Sequence, residues 1–278
     1  MTGVTLSTLA DFLRPEGFDR PLARAVLGEG RVVGEAGRYA LAAVGQRGRR
    51  PPPYSMRAVA RVDDPVLLVP GFMAGDGSLG LMRRALVQQG FRAYRSQIHA
   101  NVGCTLDAAA QLELRLESIA QRRGSRVRVV GHSLGGMLAR GVAARRPDLV
   151  SGLVTLGSPV LAPGAHHVSL AVSVAVLVRL SRAGVSGLMS EDCVAGACAR
   201  QSFDEGRAAL PEGVDFTAIY SRRDGIVDWR ACLDPAAQPV EVRASHLGMA
   251  VDPRVISEVV RGLRPGASVV EVDRGEIA

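Results

Sequence analysis

One serine in the chain stands in a setting suited to nucleophilic attack. Ser133 lies in the segment G-H-S-L-G-G, residues 131–136, which matches the G-x-S-x-G pattern. In that pattern the serine occupies a sharp turn between a strand and a helix, and the glycines leave room for a strained backbone. An apolar run precedes the segment and a helical pattern follows it. We therefore expect the Ser133 hydroxyl to stand above a sheet edge, where it could attack a carbonyl carbon.

A serine nucleophile needs a base that takes its proton. Of the five histidines, His246 directly follows a predicted strand at residues 240–243, in the segment A-S-H-L-G. That position places it at the carboxyl edge of the predicted sheet, where open α/β folds build their sites. The other four histidines lie beside the serine, in a loop or in an interruption of the strand pattern. We predict His246 as the general base.

The histidine in turn needs an acid that holds its orientation and stabilises the imidazolium. A predicted strand at residues 215–220 is followed by S-R-R-D-G-I-V-D, which contains Asp224 and Asp228. Asp224 lies nearer the end of the strand and is the preferred acid. Asp228 is its competitor.

Backbone N–H groups complete the predicted site by binding the oxyanion that forms on attack. The N–H of Leu134 lies at the start of the helix after Ser133, where free donors and the positive end of the helix favour an anion. A second donor is expected in the loop after the strand at residues 66–69, where Gly71 lets the backbone approach closely and the N–H of Phe72 would donate.

Strands and helices alternate through most of the chain. Short apolar runs bounded by glycine or proline predict strands, and amphipathic stretches predict helices. Strands are predicted at residues 66–69, 91–95, 127–130, 149–156, 215–220 and 240–243, and helices at residues 78–89, 106–123, 134–146 and 254–263. Such alternation predicts an α/β fold with a mostly parallel sheet and helices on both faces.

Two segments fall outside this alternation. Residues 1–53 predict an N-terminal helical extension that ends in a basic, proline-rich linker from Gly45 to Pro53, before a main domain at residues 54–278. Residues 160–210 interrupt the strands with an apolar helix-like run, Val168 to Leu180, and are expected to form a cap or lid. If that run covers the site, it supplies an apolar wall for an acyl chain; the alternative is an ordinary core helix.

The charge, the cysteines and the hydropathy of the sequence bear on possible partners, cofactors and location. The net charge is +7 and every basic residue is arginine, but no nucleic-acid-binding motif accompanies the short arginine clusters. Cys104, Cys193, Cys198 and Cys232 show no CxxC or Cys-His spacing, so no metal or other cofactor is predicted, although Cys193 and Cys198 could form a local disulfide. No signal peptide or membrane span is visible, so a cytoplasmic location is the default expectation. Nothing in the sequence indicates an oligomeric state.

These motifs resemble those of bacterial serine esterases and lipases of the α/β-hydrolase superfamily. The elbow at 131–136, the P-G-F loop at 70–72, the G-S-P segment at 157–159 and the loops that carry Asp224 and His246 all resemble family motifs. The resemblance covers residues 64–264, apart from residues 160–210. Proline stands where the family often has histidine before Gly71, which leaves the backbone donor but removes a supporting side chain.

The resemblance implies the α/β-hydrolase fold and cleavage of carboxylic esters through a Ser133–His246–Asp224 triad and an acyl-enzyme. A small ester or acyl compound, lipophilic or lipid, is the expected substrate. Two alternatives stay open: an acyltransferase or thioesterase that uses the same triad on a metabolite or a carrier-bound acyl group, and a protein of this fold that only binds ligands. A metal-dependent hydrolase is not favoured, because no HExxH or clustered His-carboxylate spacing occurs.

Overall fold

A computed structural model describes residues 10–47 and 65–264, except for the side chains of residue 23 and residues 42–47. Six strands form one sheet in the order β2-β1-β3-β4-β5-β6, and every neighbouring pair is parallel. The strands are β1 Val66–Val69, β2 Ala93–Arg95, β3 Val127–His132, β4 Val150–Leu156, β5 Asp215–Tyr220 and β6 Gln238–Glu241. The predicted parallel α/β architecture is thereby confirmed.

The central strands are short apolar runs because both of their faces are covered. Every residue of β1, β3 and β4 is buried. Val66 and Leu68 of β1 face one hydrophobic core, whereas Leu67 and Val69 face a second core on the opposite side of the sheet. This alternation follows from the two-residue period of a strand and is typical of a parallel sheet between two helical layers.

Helices cover the two faces. Helices α2 and α8 contribute to the first core, and α3 and α4 contribute to the second. The helices are α1 Val32–Arg47, α2 Gly80–Gln88, α3 Thr105–Arg123, α4 Leu134–Arg145, α5 Val168–Arg182, α6 Asp192–Ala195, α7 Ala197–Arg207 and α8 Pro253–Gly262. No helix among residues 10–47 and 65–264 is long and apolar enough to cross a membrane.

Apart from small shifts at the ends of other elements, such as β2, which begins at Ala93 rather than at residue 91, the structure differs from the sequence predictions at three places. The last strand is Gln238–Glu241 rather than residues 240–243. It is an edge strand in which only alternate residues are partly covered, so Pro239 is tolerated and the apolar run is a poor guide to its bounds. Helix α1 continues to Arg47, so the predicted linker does not begin at Gly45. The rest of that linker, and the expected boundary between residues 53 and 54, lie outside the described residues.

The third difference lies in the cap, which here denotes residues 160–210 between β4 and β5. The apolar run forms α5 as expected, but the cap holds two further helices, α6 and α7, that were not predicted. On the other side of the site, the N-terminal extension continues as a 3₁₀ helix at Ala23–Arg31 and as α1. These elements contact α8 and the turn at Leu247–Ala250.

Candidate active site

Ser133 is the single residue between β3 and α4. Its backbone has φ 52° and ψ −122°, a conformation that few residues other than glycine adopt. Hydrogen bonds offset the strain: the Ser133 N–H donates to the Leu156 carbonyl at 2.8 Å, and its carbonyl accepts from the Gly136 N–H at 3.0 Å. The turn therefore presents the serine at the carboxyl edge of the sheet.

The flanking glycines make this turn sterically possible. A Cβ atom at Gly131 would collide with the backbone of Gly136, and a Cβ atom at Gly136 would collide with the Ser158 side chain. Strand and helix approach each other so closely that neither position has room for a side chain. Gly131 and Gly136 are thus required by packing.

Asp224 and His246 form a buried, hydrogen-bonded pair. Asp224 follows β5, and its Oδ2 lies 2.6 Å from Nδ1 of His246. Its other oxygen, Oδ1, accepts from the N–H groups of Ile226 and Val227 at 2.8 Å each. Both side chains are nearly inaccessible to solvent. The carboxylate is fixed by its own loop and leaves one oxygen free to orient the imidazole.

The charge around His246 favours the imidazolium. Burial alone would lower the pKa of His246, but the nearby Asp224 carboxylate, its hydrogen bond and the more distant Glu29 carboxylate outweigh burial and raise it above 6.5. His132, whose ring centre lies 4.9 Å from that of His246, has its pKa lowered to about 4, mainly by burial. Only one of the two adjacent imidazoles is therefore suited to hold a proton during catalysis.

His132 connects the elbow at residues 131–136 to the loop that carries His246. Its Nε2 lies 3.0 Å from the His246 carbonyl oxygen, so its side chain contacts the histidine loop. The Ser133 hydroxyl makes no hydrogen bond with any described side chain, and this includes the imidazole of His246. Such contacts are often long without substrate and shorten in the Michaelis complex. The structure places Ser133 and His246 at the same edge of the sheet without a hydrogen bond between their side chains.

Asp228, the competing acid, is turned away from His246. Its carboxylate pairs with the Arg230 guanidinium at 2.8 Å and accepts from the Asp19 N–H at 3.0 Å. Burial would raise the pKa of Asp228, but these hydrogen bonds and the arginine charge hold it below its usual value. The structure thus places Asp224, and not Asp228, against the imidazole.

The predicted oxyanion donors flank Ser133. Phe72, Ser133 and Leu134 line the same cavity, and within the described part of the chain neither the Phe72 nor the Leu134 N–H donates to a protein acceptor. Asn101 fixes the Phe72 loop: its Nδ2 donates to the Pro70 carbonyl at 2.9 Å, and its carbonyl accepts from the Met73 N–H at 3.0 Å. These bonds hold the loop in place although proline replaces the family's usual histidine.

Two glutamates that the sequence analysis did not single out support the acid and histidine loops. Glu29, 6% exposed, accepts from the N–H groups of Gly225 and His246 with Oε1 and from that of Leu247 with Oε2, at 2.9–3.0 Å. Glu35, 2% exposed, accepts from the N–H of Ser245 at 2.9 Å and from its hydroxyl at 2.6 Å. Both belong to the N-terminal extension. The sequence around these two glutamates does not indicate this role, because single acidic residues in a helical segment are typical of a solvated surface.

A mostly apolar cavity of about 130 Å³ adjoins Ser133. The cap forms much of its wall through Leu170 and Val174 of α5 and through residues of α6 and α7. Val174 also belongs to a small apolar cluster that packs against Phe72. The apolar run of α5 is therefore part of the cavity wall and not only a core helix.

The cavity wall also carries a thiol. Cys193 lines the cavity, and its sulfur lies close to those of Cys104 and Cys198. No other group of three potential metal ligands occurs among residues 10–47 and 65–264. All four cysteines are free thiols, so the local Cys193–Cys198 disulfide that the sequence left open is not formed.

Comparison with known proteins was made by sequence and by structure. A family model described as alpha/beta hydrolase fold matches residues 64–178. A triacylglycerol lipase of Vibrio cholerae serotype O1 is 33% identical over 140 residues, which are 48% of this chain and 40% of that lipase. The match thus spans less than half of the relative's length.

Solved structures show the same fold. The mature form of the Bacillus licheniformis lipase BlEst2 superposes with a TM-score of 0.59 at 15% identity and covers 74% of this chain and 94% of the lipase. A structure from work on LipS and LipT, two metagenome-derived lipolytic enzymes, has a TM-score of 0.52 at 14% identity and covers 73% and 94% of the two chains.

Proposed function

We propose that this chain is a serine hydrolase of the α/β-hydrolase superfamily, whose family model matches residues 64–178, and that it cleaves carboxylic esters of lipophilic acids. The observation that carries the proposal is the buried pair formed by Asp224 and His246 at 2.6 Å, beside a serine in a strained strand-to-helix turn. Structural ion pairs are common, but this one stands at the carboxyl edge of a parallel sheet next to an apolar cavity. The three similar proteins described above are named lipases or lipolytic enzymes, which agrees with ester substrates.

The proposed reaction has two steps. Ser133 Oγ attacks the ester carbonyl carbon while His246 takes the hydroxyl proton at Nε2, and Asp224 stabilises the imidazolium through Nδ1. The N–H groups of Phe72 and Leu134 bind the oxyanion of the tetrahedral intermediate. When the carbon–oxygen bond breaks, His246 gives its proton to the leaving alcohol. Water then attacks the acyl-Ser133 ester by the same route and releases the acid.

The apolar cavity is proposed to hold the acyl chain. It opens next to Ser133, and its wall of Leu170, Val174 and Phe72 offers methyl and aromatic groups to an alkyl chain. Burial of such a chain contributes about 0.8 kcal/mol for each methylene group. A longer acyl chain should therefore bind more tightly until the cavity is filled.

Replacement of the nucleophile tests this function. Ser133→Ala should lower kcat for a nitrophenyl ester by about a millionfold while the protein still folds, because no other group can form the acyl-enzyme. A fluorophosphonate probe should label the native chain at Ser133 and leave the variant unlabelled. Ser257→Ala, at an exposed serine of α8, is the matched control and should keep both labelling and activity.

Near-normal ester cleavage by Ser133→Ala would remove the basis of the proposal. Absence of labelling in the native chain would favour the alternative of a ligand-binding protein. Product analysis with a thioester, and with an added alcohol, separates simple ester hydrolysis from the thioesterase and acyltransferase alternatives, since all three use the same serine.

A further inference from the structure

Three of the four cysteines converge in space from distant parts of the chain. Cys104 precedes α3, whereas Cys193 and Cys198 belong to the cap helices α6 and α7. Their three sulfur atoms lie within 4.8 Å of one another, and Sγ of Cys104 is 3.4 Å from Sγ of Cys198. Cys198 is buried and the other two are half-buried. Cys193 lines one wall of the cavity, but the cluster has no part in the proposed ester chemistry.

The spacing of these sulfurs is that of a shared metal ion. Zinc–sulfur bonds of about 2.3 Å in a tetrahedral site separate the sulfurs by about 3.8 Å, so the ligands need only small rotations to meet one ion. A set of sulfur donors without carboxylates selects soft, thiophilic cations over Mg²⁺ or Ca²⁺. The Ser190 hydroxyl, 3.4 Å from the Cys193 sulfur, is in place to donate a hydrogen bond to a bound thiolate.

Helix ends near the cluster favour negative charge on the sulfurs. Cys104 is the N-terminal cap of the long helix α3, and its side chain makes no capping hydrogen bond. Cys198 is the second residue of α7. The positive ends of these helices stabilise thiolates.

We propose that Cys104, Cys193 and Cys198 form a binding site for one thiophilic divalent cation, with Zn²⁺ as the probe. Three thiol groups lose their protons to solvent and bind the ion as thiolates, and a water molecule takes the fourth position. No oxidation is involved. The ion would join the cap to the loop before α3, where the Met189 N–H already donates to the Val102 carbonyl at 2.8 Å.

A disulfide between Cys104 and Cys198 is the competing use of these sulfurs. It needs an oxidant and leaves Cys193 without a role, whereas a metal ion uses all three. Because Cys193 lies in the cavity wall, a metal ion bound to it would fix the part of the cap that faces the substrate.

Cobalt(II) provides a direct test on the full chain, reduced and freed of metal. One equivalent of Co²⁺ should produce the near-ultraviolet band of thiolate-to-cobalt charge transfer, and one equivalent of Zn²⁺ should abolish it. Zinc should also protect three thiols from a thiol reagent and raise the midpoint of thermal unfolding. Cys193→Ser and Cys198→Ser should each lose the charge-transfer band.

Cys232→Ala is the matched control, because Cys232 is a buried cysteine outside the cluster, and it should keep one-equivalent binding. The proposal is overturned if the reduced native chain gives no sulfur charge-transfer band at stoichiometric Co²⁺. It is equally overturned if Cys104 and Cys198 form a disulfide in air in the presence of one equivalent of Zn²⁺. Should the variants fail to fold, the count of protected thiols in the native chain decides. Loss of metal binding with intact fluorophosphonate labelling leaves the proposed esterase function untouched.

Discussion

The N-terminal extension and the cap both border the candidate site, but they contact it through different chemistry. The extension reaches the loops of Asp224 and His246 with two buried carboxylates, Glu29 and Glu35, which accept hydrogen bonds from backbone N–H groups and a hydroxyl. The cap contacts the serine side mainly through apolar side chains such as Val174, which packs near Phe72. Charged hydrogen bonds are directional, whereas apolar contacts are not.

This difference suggests that the extension positions the loops of Asp224 and His246, whereas the cap accommodates the substrate. The catalytic loops need one geometry, and a carboxylate that holds three N–H groups allows few alternatives. A wall for an acyl chain must fit substrates of different length, and apolar packing tolerates such variation. We therefore expect changes in the extension to affect turnover with every substrate, and changes in the cap to affect the choice among substrates.

Glu29→Gln should have the largest effect of the changes considered for the two regions. The amide keeps one acceptor but turns an NH₂ group toward an N–H donor, which should cost about 3 kcal/mol of unfolding free energy. A displacement of the His246 loop by about 1 Å should lower kcat about a hundredfold for short and long esters alike. Urea unfolding measures the loss of stability, and kinetic assays with acetate and octanoate esters measure the fall in kcat. Unchanged kcat in the folded variant would show that the extension does not position the loop.

Glu35→Gln is the matched variant in the same extension and should have a smaller effect. In the loop of His246, Glu35 contacts Ser245 through the serine N–H and hydroxyl, and within its own helix it pairs with Arg38 at 3.9 Å. We expect a loss of about 2 kcal/mol in unfolding free energy and a smaller fall in kcat than for Glu29→Gln. An equal or larger fall would mean that the extension acts through overall stability and not through the His246 loop.

Val174→Ala tests the cap side of the comparison. Removal of methyl groups from the cavity wall should cost about 1 kcal/mol of binding and raise KM about fivefold for a long-chain ester, with little change for acetate. Val176→Ala on the same helix is the control, because Val176 is 51% exposed. A rise in KM that is the same for all chain lengths would contradict an acyl-binding role for the cap.

The dependence of kcat/KM on pH should differ only slightly between Glu29→Gln and Glu35→Gln, but this difference is specific to the charge of Glu29. Since the pKa of His246 is raised above 6.5, the fall of kcat/KM on the acidic side should begin above that pH, as protonated imidazole cannot take the serine proton. Glu29 contributes to this rise, so Glu29→Gln should move the acidic limb to lower pH, while Glu35→Gln should leave it in place. An acidic limb that stays fixed in Glu29→Gln would assign Glu29 a purely structural role.

The features that were predictable from sequence are those with local causes. Strands β1 and β5 match their predicted bounds because each is a short buried run between turn residues. The elbow around Ser133 and the loops of Asp224 and His246 were predictable because each directly follows a strand of a parallel sheet. The resulting fold is the expected one.

The features that were missed depend on contacts between distant segments. The partners of Glu29 and Glu35 lie about two hundred residues away, so nothing in the neighbouring sequence indicates that these glutamates are buried. The thiol cluster was missed for the same reason: Cys104 is far in sequence from the cap, and no CxxC spacing marks it. The edge strand β6 was displaced by two residues because partial exposure weakens its apolar pattern.

The reach of Glu29 also has a consequence for how the protein matures. Its backbone partners lie 196 to 218 residues further along the chain, so at ribosomal speed they are made about 10 to 40 s after the glutamate itself. Until then the nascent chain carries an elbow serine without its histidine, and two carboxylates with nothing to accept from. We therefore expect nascent chains that end before His246 to be inert toward esters, and activity to appear only after the loop of His246 has been made and has bound Glu29.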